Sequence, residues 1–261
     1  LFINVNDAGT RHCTNFIRSI AKEYRYVYLL SLSGYGDADM INFFDEAGQF
    51  VVPPAKNNIY VGEQLGHLAK SLRADAVIPF SSHHQYQRTD SLWAQEYVTP
   101  LHAYQKGIPA DLEFIPPFVD IECTTGSYTE LSPRRLQIPP KRPEIYGDNW
   151  SDELESDDRR VIDEYFLRKE SIQSRIGYIN VIVGGKMHTT CINSNSNKGV
   201  SFEVPRHSLM TAIQLEIFDD LFIGNFMITD DQSFFKLFFR NSSFQISSCI
   251  HSGCTVTLKI N

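Results

Sequence analysis

Cysteine is scarce in this chain and never closely paired. The five, at positions 13, 123, 191, 249 and 254, include no Cys-x-x-Cys. That pattern argues against a disulfide scaffold or a cysteine zinc knuckle, and points to a reducing, cytoplasmic setting. Long apolar runs are also missing. No stretch approaches the ~18 residues of a membrane span, so none is expected. An excess of positive charge is absent: 24 Lys and Arg face 31 Asp and Glu, for a net charge of −7. Nucleic-acid binding through phosphate neutralisation therefore has no support. The opening Leu1-Phe2-Ile3-Asn4-Val5 has no basic region and no cleavage site, so it is no signal peptide. It reads as a buried strand, as if the chain began inside a domain.

What remains is an ordinary globular composition, 42% hydrophobic and 21% charged over 261 residues, enough for one large domain or two modest ones. The charge is concentrated. Residues 144–164 hold nine acids and two arginines, which is −7 on their own, and the rest is neutral. A solvated linker or the first turns of a helix is the simplest reading of such a run.

Residues 1–130 alternate strand and helix signals. Leu1–Val5, Tyr26–Leu32 and Ala76–Phe80 are short apolar strands. Asn15–Tyr24 carries Phe16, Ile17, Ile20 and Tyr24 at helical spacing, and Val61–Leu72 carries Leu65, Leu68, Ala69 and Leu72. This order predicts an α/β domain whose ligands gather beyond the strand ends. Prolines crowd residues 109–143, and 131–159 reads as a proline-rich and acidic linker. Residues 160–230 predict a small α+β unit: a helix at Arg160–Arg168, strands at Tyr178–Val183, Thr189–Asn193 and Val200–Val204, and another strand at Ser208–Ile217. The tail, 231–261, is atypical. Gln232–Asn261 has no acid at all, which suggests either a Ser-rich strand pair or an out-of-frame end.

Of the eight histidines only His83 and His84 are adjacent, and they directly follow a strand. Asp7 holds the same kind of place after the first strand. A carboxylate and an imidazole at neighbouring strand ends can converge on one divalent ion. Two ligands are too few for a catalytic metal, and the chain holds neither His-x-His-x-Asp-His nor His-Glu-x-x-His. Arg88, Asp90 and Ser91 suit an anionic or sugar-like substrate, since arginine offers a two-pronged fork. An Arg–Asp pair that ties down the loop is the alternative. Asp37 and Asp39 sit in a glycine turn after the second strand. Trp93, Tyr97 and Tyr104 follow helical spacing and read as core. Asp219 and Asp220 read as a helix cap.

Four segments, FINVNDAG, SLSGYGDADMINFF, DAVIPFSSHHQYQRTDSLWAQEYVTPL and VPRHSLMTAIQLEIFDDLFIGNFM, together resemble a branch of the metallo-β-lactamase-fold proteins. That branch lies near the ascorbate-phosphate lactonase and CMP-sialic acid hydroxylase groups. The resemblance covers about residues 1–230. It implies the C-terminal half of an αββα sandwich followed by the small α+β unit. It implies Asp7 as the metal-bridging aspartate and His84 as the final histidine ligand, with His83 as the other candidate. His84-Gln85-Tyr86-Gln87-Arg88-Thr89-Asp90-Ser91 matches the pattern His-x-Tyr-x-Arg-x-Asp-Ser. The implied activity is metal-dependent hydrolysis of a small ester, lactone or phosphoester-like substrate with zinc, manganese or iron, in a site that this chain leaves incomplete. Two further readings stand beside it. One is a module serving a Rieske-type sugar-nucleotide hydroxylase. The other is a non-catalytic lipid- or ligand-binding protein whose groove Leu209, Met210, Leu215, Ile217, Phe218, Leu221 and Phe222 would cover.

Overall fold

Apolar, β-branched and aromatic runs make the three expected strands, and a fourth joins them. A computed structural model describes residues 1–6, 10, 12–32, 34, 49–50, 60–80, 85–134, 136–218, 220–221, 224 and 228–229. Strands β1 (Phe2–Asn4), β2 (Tyr28–Leu32), β3 (Ala76–Phe80) and β4 (Glu113–Phe114) form one sheet in the order β1-β2-β3-β4. Every pairing is parallel, and Asn4, Leu30 and Ile78 lie level across it. The fold of this part is therefore α/β with a parallel sheet.

Alternation along the strands sorts the side chains. Ile3, Val5, Leu29 and Val77 pack with helices α1 (Thr14–Ala21) and α2 (Val61–Leu72) in one core. Tyr28, Ala76 and Ile78 face the other way, against Ile115 and the hairpin β5 (Val119–Ile121) and β6 (Tyr128–Glu130). Parallel sheets need cover on both faces, and here a hairpin supplies the second cover. Pro79 sits inside β3, where proline is normally excluded. The carbonyls of Asp75 and Val77 accept from Glu113 and Ile115. By the two-residue period, the Pro79 nitrogen faces the same side, past the end of β4, so no ladder bond is lost.

The α2 helix matches its expected span and its buried Leu65, Ala69 and Leu72. Gly62 lets the 106–109 loop lie against it: a Cβ there would stand 2.4 Å from the Lys106 carbonyl oxygen. The α1 helix is shorter than expected and differently turned. Its inward stripe is Ile17, Ile20 and Ala21, while Phe16 is 67% exposed and Tyr24 lies beyond its end.

The second unit holds α3 (Ser156–Leu167), α4 (Glu170–Gln173), β7 (Tyr178–Val183), β8 (Lys186–Cys191), β9 (Gly199–Glu203), α5 (Arg206–Leu215) and β10 (Ile228–Thr229). Its sheet runs β10-β9-β7-β8, with β7 and β9 parallel and the rest antiparallel. Ile179, Val181, Val183, Val200 and Phe202 pack on Ile162, Phe166, Leu209, Ile213 and Phe218. Residues 206–215 are a helix, not the expected strand. Leu209, Met210, Ala212 and Ile213 make a helical stripe, and the segment is built of good helix formers. A short apolar run does not distinguish the two by itself.

The acidic run is more than a linker. The α3 helix opens with a capping box: the Asp158 carboxylate accepts the Glu155 N–H at 2.8 Å. The same carboxylate takes Arg206 at 2.6 Å from the first turn of α5. Burial pushes the Asp158 carboxyl up, but the Arg206 and Glu155 hydrogen bonds outweigh it and hold it below the usual range.

Candidate functional site beyond the parallel strand ends

All strands of the first sheet run the same way, so their carboxyl ends share one edge. Open parallel sheets collect ligands at that edge. Asp7 follows β1, and His83 and His84 follow β3, with β2 between them. The two strands are thus about two spacings, or ~10 Å, apart. Asp7, His83 and His84 lie outside the described residues, as do Asp37 and Asp39. A carboxylate and two imidazoles suit a divalent transition metal, though they fall short of a full ligand set. Among the described residues, no group of three His, Cys, Asp or Glu side chains could hold a metal ion.

The next stretch, residues 85–91, is described and tightly held. Its backbone pairs with a strand-like segment around Lys141: the Lys141 N–H donates to Gln87 at 2.8 Å, and the Thr89 N–H to Lys141 at 3.0 Å. Gln95 accepts from the Tyr86 N–H at 3.0 Å. Arg88 is only 7% exposed. Its Nε and Nη2 donate to the two Asp90 oxygens at 3.0 and 2.6 Å, and its Nη1 to Asp148 Oδ2 at 2.6 Å. Trp150 Nε1 donates to Asp90 at 2.9 Å. The buried Ser91 hydroxyl turns back to the Arg88 carbonyl at 3.2 Å.

Asp148 is 1% exposed. Besides Arg88 it accepts the Ser208 backbone N–H at 3.0 Å, and the Ser208 hydroxyl lies 2.8 and 2.7 Å from its two oxygens. Ser208 is in the first turn of α5, so Asp148 satisfies a free helix N–H from outside the helix, and its charge favours that end. Burial pushes Asp90 up, but the bonds from Arg88 and Trp150 prevail and hold its carboxyl below the usual range. Burial likewise works against the Arg88 charge, and Asp90 and Asp148 override it.

The expected trio of Arg88, Asp90 and Ser91 therefore does come together, with its polar atoms turned on one another and on Asp148 and Trp150. This is the tied-down loop of the two sequence readings. Asp148, Trp150 and Ser208 had no signal of their own: the first two sit in the acidic run and the third in an apolar one.

Past the loop, Trp93 and Tyr97 form an aromatic cluster with Phe50, the Tyr97 and Phe50 rings being 4.8 Å apart. Trp93 is partly exposed, whereas Tyr104 is core. A cleft of about 270 Å³ lies beside the Arg88–Asp148 pair, with Tyr146, His207 and Thr211 on its wall. Leu209, Met210, Phe218 and Leu221 belong to the core of the second unit; Phe222 lies outside the described residues. Among the described residues no helix is long and apolar enough to cross a membrane. No family model, no curated protein and no solved structure matches the chain.

Proposed function

We propose that the chain carries part of a metal-dependent hydrolase of the metallo-β-lactamase superfamily, acting on a small ester, lactone or phosphoester-like substrate. One observation carries this reading: β1 and β3 share a parallel sheet and end at one edge, where Asp7 follows the first and His83-His84 the second. The αββα sandwich is the finer fold that the reading requires.

In this proposal Asp7 and His84 would hold zinc, manganese or iron, with His83 as the substitute donor. A divalent cation bound there would supply a hydroxide near neutral pH by lowering the pKa of its water. Arg88, Asp90 and Ser91 serve the substrate side by shaping the loop that leaves β3. The segment pattern from His84 to Ser91 supports the choice of histidine. The test is metal content. Asp7→Ala and His84→Ala should each lose metal, and His83→Ala should keep most of it.

A further inference from the structure

We infer that strand β8 is a self-association edge, which pairs antiparallel with β8 of a second copy of this chain. β8 is the last strand of its sheet, with β7 on one side only. The tight turn at Gly184-Gly185, both at positive φ, sets Val183 opposite Lys186. Two bonds fix the phase of the ladder. The Ile192 N–H donates to the Gly177 carbonyl at 2.7 Å, and the Ile182 carbonyl accepts from Val204 on the β9 side. Lys186, His188 and Thr190 therefore bond to β7, and by the two-residue period the N–H and C=O of Met187, Thr189 and Cys191 point away from it. Among the described residues, none of those outward groups has a partner. Their side chains leave the edge open: Met187, Thr189 and Cys191 are all exposed, while His188 and Thr190 turn the other way, to Asp163 on α3 at 2.9 and 2.5 Å. Edge strands are normally guarded by proline, a bulge or a lysine. β8 has no proline and no bulge in its pairing with β7. Its one lysine, Lys186, stands at the turn and is held by Glu153 at 2.5 Å.

A second copy fits because the strand complements itself. With a two-fold axis at Thr189, Thr189 faces its own equivalent and Met187 faces Cys191 of the second copy. Every outward group of both strands is then used, each opposed pair exchanging two hydrogen bonds. An axis one residue to either side leaves Met187 or Cys191 beyond the end of the other strand. The axis at Thr189 also keeps the two Lys186 residues at opposite ends. Such a contact is isologous and closes on itself, and it joins the two four-stranded sheets into one.

The test uses the full chain. Sedimentation equilibrium should show a monomer at low micromolar concentration and a dimer toward millimolar, as suits a small interface. Thr189→Pro removes an N–H that β7 does not use, so the chain should keep its far-ultraviolet circular dichroism while dimerisation weakens at least tenfold. If Thr189→Pro does not fold, Thr189→Lys, which opposes two like charges on the axis, is read by the same criterion. Thr189→Cys should give a disulfide between the two 189 positions under mild oxidation, since directly opposed residues stand about 5.5 Å apart at Cα. Wild-type Cys191 should not link to its own equivalent, which this register puts about 14 Å away. The amides of Met187, Thr189 and Cys191 should gain protection from hydrogen exchange as concentration rises. A chain that stays monomeric overturns the inference, and so does a dimer that Thr189→Pro leaves intact or that Thr189→Cys does not link. A monomer with those three amides already protected has its edge covered by the chain itself, which also overturns it.

Discussion

Arg88 and Asp148 stand 60 residues apart in the chain and 2.6 Å apart in space, and their contact fastens the loop after the parallel sheet to the first turn of a helix in the second unit. Removing one member strands the other charge in a buried setting. Asp148→Ala should lower the unfolding free energy by about 3–5 kcal/mol, read from denaturant titration. Ser208→Ala deletes one hydroxyl and should cost about 1 kcal/mol.

Acid should weaken the fold through Asp90 in this network and through Asp158 at the start of α3. Asp90 and Asp158 have carboxyls held below the usual value in the folded chain. Such groups add stability above their unfolded pKa and lose it as the pH falls through the lower folded value. The unfolding midpoint should therefore be steady above about pH 5 and fall below about pH 4. Asp90→Asn should be less stable at neutral pH and show a shallower acid limb. An acid limb identical to wild type would remove Asp90 from this role.

Gly62 tests the packing of α2. In an exposed helix, Gly→Ala gains about 1 kcal/mol. Here the new methyl would stand 2.4 Å from a backbone carbonyl oxygen and 2.9 Å from a backbone nitrogen, neither of which can swing away. Overpacking of about 1–3 kcal/mol should win, so Gly62→Ala should lower the thermal midpoint.

The second unit should depend on Phe166, which is fully buried and packs edge-on to Phe218 at 5.3 Å. Phe166→Ala should cost about 3–5 kcal/mol. Phe16→Ala, at an exposed ring on α1, should change stability by less than about 0.5 kcal/mol.

Elements with a strong period were legible. α2 and β7 match their expected spans because their buried apolar residues repeat at 3.6 and at two, and β3 matches because it is a short continuous apolar run bounded by polar residues. Residues 206–215 were misread because their short apolar stretches, Leu209-Met210 and Ala212-Ile213, fit either period, and the group that accepts the first-turn N–H of Ser208, Asp148, lies far upstream. The hold on Arg88 was half legible. Asp90 is local, while Asp148 and Trp150 reach it only through the tertiary fold. In a run of nine acids, nothing in the residue types marks the two that are buried, Asp148 and Asp158.

The most direct test of the central claim is zinc bound per chain in the full-length wild type and in Asp7→Ala, His84→Ala and His83→Ala, measured after removal of free metal. The expected result is bound zinc in wild type, its loss in Asp7→Ala and His84→Ala, and near-normal content in His83→Ala. Zinc content undiminished in both histidine variants would contradict the metallohydrolase account of this loop.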